Sequence, residues 1–185
     1  MKVAFLDRDG VINKEVNYLH RIEDWEFTPG CIEGLLKLQS MNFQFVIVTN
    51  QAGIARGFYD EGQYQKLTNW YLDRLLEEGI EILDVFHCPH HPDGKVPELA
   101  TECHCRKPNI GMLEAANQKY DVDLVSSIIV GDKISDLQAG LSFGLQQENV
   151  FLVKTGHAIE GSEWVKNTYE NLFELAKAME VKGDA

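Results

Sequence analysis

The chain has 185 residues, 44% hydrophobic and 25% charged, enough to bury a proper core in one domain; no apolar run approaches the ~20 residues that span a bilayer as a helix, so no membrane is implied. Its formal net charge of −12 argues against a general nucleic-acid binder and repels anions at long range, so any anion site has to be built locally. The N-terminus lacks the basic start, apolar segment and small-residue cleavage site of a signal peptide, which leads us to expect a cytoplasmic protein with reduced cysteines.

Val3, Ala4, Phe5 and Leu6 form a short apolar run ending abruptly in charge, the pattern of a buried strand whose tip reaches solvent. Asp7 and Asp9 sit at that tip. Alternation along an extended chain puts both on one side, with Arg8 facing away, and two close carboxylates call for a shared proton or a divalent cation. Gly10 permits a tight turn or the close approach of a ligand. Residues 13–27 read as a surface loop flanking the tip; Glu15, Val16, Asn17 and Tyr18 are candidate substrate contacts there, although ordinary loop packing accounts for them equally well. Thr28, Pro29 and Gly30 resemble a helix start, with Ile32, Leu35 and Leu36 as its apolar face. Phe43 to Val48 is nearly continuous apolar sequence, as in a parallel strand covered on both faces, and it ends in Thr49, Asn50 and Gln51. Thr49 to Gly57, with two glycines and Arg56, reads as an irregular loop suited to wrapping a ligand. Glu61 to Glu78 carries Tyr64, Leu67, Tyr71 and Leu75 on one helical stripe, and Ile80 to Phe86 reads as a third strand.

Between His87 and Pro108 fall all but one of the four cysteines and four of the six histidines. Cys88-Pro89-His90, twelve further residues, then Cys103-His104-Cys105 make two close pairs that can fill a tetrahedron. Three soft thiolates and an imidazole favour zinc with no vacant position, hence a structural Zn2+ held by Cys88, His90, Cys103 and Cys105. A disulfide is the competing account, but it leaves the histidine unexplained. His87, His91 and His104 are spare, and any of them could replace His90. Cys31, outside the cluster, reads as a small buried hydrophobe. Arg106 and Lys107 follow the last ligand, so a zinc knot would fix two cations in place for an anion. Gly111 to Tyr120 reads as helix. Ser127 to Val130 reads as a fourth buried strand, ending in Gly131, Asp132 and Lys133, with Asp136 one turn on. Ser135 to Phe143 is expected helical, Val150 to Val153 a fifth strand, and Leu172, Leu175, Ala176 and Met179 mark a closing helix.

Strands alternating with helices imply an α/β fold: a three-layer, Rossmann-like parallel sheet with helices on both faces, in a single domain over residues 1–185 with a zinc-binding loop at 87–108. Ligands of such folds bind at the carboxyl ends of the strands, where Asp7, Asp9, Thr49, Lys107 and Asp132 would meet.

DRDG with a following Val-Ile-Asn, TNQ, the lysine of RKP and VGDKxxD resemble the four motifs of the haloacid dehalogenase superfamily of aspartate-dependent phosphatases. The CxH…CxC loop makes the chain most similar to the histidinol-phosphatase and heptose-bisphosphatase branch, with a minimal cap. The resemblance implies a Mg2+-dependent hydrolase of the C7 phosphate of a heptose bisphosphate, with histidinol phosphate or another small ester as the alternative substrate. It makes Asp7 the nucleophile and Asp9 the general acid and base, the latter needing a pKa above that of Asp7. Mg2+ would bind Asp7, the main-chain carbonyl of Asp9, and Asp132, with Asp136 orienting its waters. Thr49 and Lys107 would hold the phosphoryl group. Arg106, Lys133 and Arg56 would serve substrate recognition, and Asn50, Gln51 and Ala52 with Glu15 to Tyr18 would meet the sugar. A small phosphorylated sugar is the only partner implied, with no nucleic acid or membrane, and the chain is expected as a monomer. A zinc-stabilised binding module without catalysis is the reading from a different class.

Overall fold

The computed structural model of the chain describes residues 1–157 and 162–183. In order along them run β1 (Val3–Leu6), α1 (Cys31–Ser40), β2 (Gln44–Asn50), the single-turn α2 (Ala52–Ala55), α3 (Glu61–Glu77), β3 (Ile82–Cys88), α4 (Gly111–Tyr120), β4 (Ile128–Gly131), α5 (Ile134–Phe143), β5 (Val150–Val153), β6 (Thr168–Tyr169) and α6 (Leu172–Gly183). All strand pairs are parallel, and the sheet order is β3-β2-β1-β4-β5-β6. From the central β1 the chain builds outward through β2 and β3, then returns to the other side of β1 for β4, β5 and β6. The strand order therefore reverses between β1 and β4, and a crevice opens outside their carboxyl ends.

The period-two alternation of each strand divides the core in two. Ala4, Leu6, Phe45, Ile47, Ile128, Val130, Phe151 and Val153 pack with Leu35 and Leu38 of α1, Leu67, Tyr71 and Leu75 of α3, and Leu172 and Leu175 of α6. Val3, Phe5, Val46, Val48, Ile129 and Leu152 pack with Met112, Leu113 and Ala116 of α4 and Leu137 and Ala139 of α5. Both faces of every central strand are thus covered, which is why these strands read as continuous apolar runs. Truncating one of the fully buried leucines, such as Leu35, to alanine would cost about 2–5 kcal/mol.

Helix α3 starts where Asp60 and Gln63 form a reciprocal cap: Gln63 N donates to Asp60 Oδ1 (2.7 Å) and Asp60 N to Gln63 Oε1 (2.9 Å). Tyr64, expected on the same core stripe as Leu67, packs instead in a satellite cluster with Ile54 and Tyr59. Other differences from expectation are local. Strand β2 continues through Asn50, the expected irregular loop contains α2, and β3 runs on through His87 to Cys88, so the first sulfur donor sits at a strand tip. The two-residue β6 was not expected, being too short to show a period. Among the described residues no helix is long and apolar enough to cross a membrane.

Candidate active site

Each of the three central strand tips delivers polar groups to the crevice. At the end of β1, Asp7 N donates to Val130 O (3.0 Å), which locks the tip of β1 beside that of β4. Gly10, at φ 84°, turns the chain against Asp132: a Cβ there would stand 2.5 Å from Asp132 Oδ2. Asp7, Asp132 and Asp136 are all buried, and one carboxylate oxygen from each lies within 4.8 Å of the others. Lys107 enters this cluster from the far side of the sequence. Its Nζ donates to Asp7 Oδ1 (3.0 Å) and to Val48 O (2.5 Å) and stands 2.7 Å from Asp136 Oδ1. Asn50 fixes the Lys107 backbone through two reciprocal bonds, Lys107 N to Asn50 Oδ1 and Asn50 Nδ2 to Lys107 O, both 3.0 Å.

Three buried carboxylates facing one ammonium leave negative charge uncompensated. Burial pushes the Asp7 carboxyl up to about 8, with Asp136, Asp132 and Asp9 adding to the rise and Lys107 opposing it. Burial disfavours the Lys107 ammonium, but Asp136 and Asp7 outweigh it and hold its pKa above the usual lysine range. Asp132 Oδ1 is buried with no hydrogen-bond partner. An all-oxygen donor set with an unpartnered buried oxygen and excess negative charge fits a hard divalent cation. Asp136, expected to act only through water, has its carboxylate in the same set as the other two.

Asp9 behaves differently from Asp7. Burial works against its charge, but Arg8, Asn13 and Gln51 donate to it and hold its carboxyl below the usual range. Arg8 Nη2 lies 2.9 and 3.1 Å from the two oxygens, Asn13 Nδ2 3.0 Å from Oδ1 and Gln51 Nε2 2.9 Å from Oδ2. Two expectations are corrected here. Arg8 does not simply face away: it is buried and its guanidinium folds back onto Asp9. Without a cation the expected order of acidities, Asp9 above Asp7, is reversed, because burial, reinforced by the neighbouring carboxylates, raises Asp7 while Arg8, Asn13 and Gln51 hold Asp9 down.

A cavity of about 390 Å³ opens beside this cluster, lined by Asp9, Glu15, Asn17, Tyr18, Asn50, Gln51, Ala52, Gly53, Arg56, Tyr59, His91, Arg106, Lys107, Lys133, Ser135 and His157. That volume suits a small, polar organic ligand. Its wall carries Arg56, Arg106, Lys107 and Lys133, so most of the motif cations converge despite the acidic whole. Gln51 is committed to that wall: Nε2 donates to Asp9 and to Thr49 Oγ1 (2.8 Å), and its Oε1 accepts from Tyr59 OH (2.5 Å). Thr49 itself is fully buried in β2 beneath Gln51 and does not line the cavity. Val16 is a correction: it lies outside the lining, on a separate shallow depression with Asn17, Tyr18, Leu19, His20 and Asp24. The left-handed backbone of Asn17 and Tyr18 (φ 43° and 60°) turns the chain between them. Sequence reasoning missed Gly53, Tyr59, Ser135 and His157 as lining residues, and it weighed His91 only as a spare zinc ligand. His91 Nε2 is 3.1 Å from Arg56 Nη2.

The second cluster lies along the loop that carries Arg106 and Lys107. Cys88, His90, Cys103 and Cys105 place one donor atom each within 4.8 Å of one another. The sulfurs are 3.4 Å (Cys88–Cys103), 2.9 Å (Cys88–Cys105) and 3.3 Å (Cys103–Cys105) apart, and His90 Nδ1 is 3.7 Å from Cys88 and 3.3 Å from Cys105. These are too long for disulfide bonds, and they approach the edges, about 3.8 Å between sulfurs, of a tetrahedron with 2.3 Å metal–sulfur bonds. The donors fit zinc. The ambiguity among histidines also resolves: His87 pairs with Glu61, His91 with Arg56 and His104 with Glu114, leaving His90 in the cluster.

Comparison with known proteins agrees with this geometry. A HAD-hydrolase-like family model matches residues 104–169. The chain is 58% identical over 182 residues, 97% of each chain, to the D-glycero-alpha-D-manno-heptose-1,7-bisphosphate 7-phosphatase of Photorhabdus laumondii. It is 38% identical over 178 residues, 95% of this chain and 94% of the other, to the D-glycero-beta-D-manno-heptose-1,7-bisphosphate 7-phosphatase of the same organism. Among solved structures it resembles a D,D-heptose 1,7-bisphosphate phosphatase from B. bronchiseptica, complexed with magnesium and phosphate, with a TM-score of 0.82 at 30% identity over 98% of this chain and 99% of that one.

Proposed function

Because the chain belongs to the haloacid-dehalogenase-like heptose-bisphosphate phosphatases, we propose that it removes the C7 phosphate of D-glycero-D-manno-heptose 1,7-bisphosphate through an aspartyl-phosphate on Asp7, and that the α anomer is its substrate. The observation that carries the reaction is the buried set of Asp7, Asp132 and Asp136 around Lys107, which itself lines the neighbouring cavity together with Asp9, Arg56, Arg106 and Lys133. The anomer rests on the 58% identity to the α-named enzyme against 38% to the β-named enzyme of one organism.

A phosphate monoester dianion resists an anionic nucleophile, so the site must supply positive charge at the phosphoryl oxygens. Asp7, Asp132 and Asp136 would hold Mg2+, which when bound neutralises those oxygens and lowers the charge the carboxylates present to one another. Lys107 pins one Asp7 oxygen and adds a second cation, while Thr49, buried behind Gln51, acts on the phosphoryl group only through that amide. The Asp7 carboxylate attacks phosphorus as the bond to the sugar oxygen breaks, and Asp9 protonates that departing oxygen. To present its proton, Asp9 has to come free of one of the donors now on it. The same carboxylate then takes a proton from the water that attacks phosphorus, releasing phosphate and regenerating Asp7. Arg56, Arg106 and Lys133 line the cavity and would receive the second phosphate, and Glu15, Asn17, Tyr18, Asn50, Gln51 and Ala52, on the same lining, would meet the sugar. Cys88, His90, Cys103 and Cys105 would hold Zn2+, tying the loop that carries Arg106 and Lys107 to the tip of β3.

Phosphate release with Mg2+ present, measured on both anomers and on histidinol phosphate, tests each part. The α anomer should lead in kcat/KM by about 10-fold or more, the discrimination that about 1.4 kcal/mol of differential binding provides. Preference for the β anomer would overturn the anomer assignment, preference for histidinol phosphate the substrate, and no release from any ester the catalytic reading.

A further inference from the structure

His157 lies just beyond β5, outside every motif used above, yet it makes a short contact with the acidic cluster. Its Nδ1 stands 2.7 Å, and its backbone N 3.0 Å, from the same oxygen of Asp132, Oδ2. A carboxylate only accepts hydrogen bonds, so Nδ1 carries the hydrogen in both the neutral and the charged ring. The peptide around it leaves Asp132 no slack. A Cβ at Gly156 would stand 2.1 Å from Asp132 Oδ2, and Thr155 Oγ1 donates to Gly10 O (2.6 Å), which ties this segment to the turn after β1. Gly10 closes on the same oxygen from the other side. Oδ2 thus has two donors and a glycine on either flank, while Oδ1 of the same carboxylate is buried with none. The imidazole also faces the cavity, where Glu15 Oε2 is 3.9 Å from both His157 Nδ1 and Lys133 Nζ.

We propose that His157 is a positioning residue for the cation site: by occupying Asp132 Oδ2 it fixes the rotation of that carboxylate and reserves Oδ1 for the metal. The proposal rests on the reading of Asp7, Asp132 and Asp136 as the Mg2+ ligands. A ligand held by an outer hydrogen bond meets the ion already oriented, and losing such a partner typically costs 10–100-fold in metal affinity. The backbone N–H survives any side-chain change, so the lower end of that range applies.

The test is calorimetric titration of the whole, zinc-loaded chain with Mg2+ alone, at one pH and without substrate, for the parent, His157→Ala and His157→Asn. The alanine variant should bind Mg2+ about 10-fold more weakly, while asparagine, whose side-chain amide can donate to Oδ2, should recover most of the loss. Circular dichroism and melting without Mg2+ identify a variant that fails to fold, in which case the asparagine protein decides alone: parent-like affinity supports the proposal. Alanine binding as tightly as the parent, or a folded asparagine variant no better than alanine, overturns it. A parent that does not bind Mg2+ would instead overturn the reading of the three carboxylates.

Discussion

Among the described residues two clusters are suited to a metal, and they are opposites. Cys88, His90, Cys103 and Cys105 come from one short stretch of chain and close a compact set of soft donors outside the cavity lining, apart from the loop they share with Arg106 and Lys107. Asp7 and Asp132 come from the tips of β1 and β4, Asp136 from the first turn of α5, more than a hundred residues from Asp7 in sequence; all three are hard and buried, and they include an oxygen with no hydrogen-bond partner. The first set offers four donors that can close a tetrahedron around one ion, as a structural site does; the second offers three carboxylates beside a buried ammonium, as a reacting site does. Softness and closure divide holding the fold from performing chemistry, and the contrast can be broken by perturbing each set in turn.

The largest effect is expected in the oxygen set. Asp7→Asn keeps the size of the side chain and removes the nucleophile, so turnover should fall by about 10⁴-fold or more, the scale of loss for single central residues in other hydrolases, while circular dichroism and zinc content stay those of the parent. Appreciable residual turnover would show that Asp7 does not attack.

Metal removal should separate the clusters next. Stripping the thiolate set should lower the melting temperature and abolish activity together, because the loop carrying Lys107 loses its clip. Removing Mg2+ should abolish activity but cost only the stability due to ligand binding, and adding it back should restore both. That second effect carries a pH signature. Without a cation the Asp7 carboxyl is raised from about 3.8 to about 8, so across that window the folded chain holds a proton that the unfolded chain has released, and stability falls as pH rises. Binding Mg2+ expels the proton. The gain in melting temperature with Mg2+ should therefore be larger near pH 8 than near pH 5.5, with proton release on binding at the lower pH. Asp9 has the opposite sign, its contribution being lost only on acidification below the ordinary aspartate range, so it does not vary across this comparison. A gain independent of pH would show that Asp7 is ionised before the metal arrives.

The difference in origin of the two clusters also explains what could be read in the sequence. The sulfur set is local, so spacing alone named its members, and only the choice among neighbouring histidines needed coordinates. The oxygen set is non-local, yet its members were legible because Asp7 and Asp132 sit where apolar strands end in charge, with Asp136 one turn into the following helix, and a parallel sheet brings such ends to one rim. The same rule applied to Val150–Val153 would have pointed to the Thr-Gly-His that follows, but a lone histidine has no partner visible in sequence. Alternation placed Arg8 and said nothing of a long side chain that folds back onto Asp9. Sequence adjacency carried Val16 into the candidate set together with Asn17 and Tyr18, although only the latter two, in a left-handed backbone turn, also reach the cavity. The short α2 and β6 lack enough residues for either periodicity to show.

The smallest effect sharpens the contrast from the side of positioning rather than binding. Tyr59 touches neither cluster, but its hydroxyl donates to Gln51 Oε1, which obliges the other end of that amide to present its N–H groups to Asp9 Oδ2 and Thr49 Oγ1. Its hydroxyl is largely desolvated; burial, the largest influence on it, keeps the group protonated at any working pH, so it acts only as a donor. Tyr59→Phe removes one hydrogen bond and leaves the ring stacked on His20, at a cost to stability of about 1 kcal/mol. With Gln51 free to flip, its oxygen can face Asp9 and repel the carboxylate, so the pKa of Asp9 should rise and the acid limb of the kcat profile should shift upward, with kcat itself down a few-fold and zinc content unchanged. A profile identical to the parent's would show that Arg8 and Asn13 alone set the state of Asp9 and that Gln51 serves only the wall.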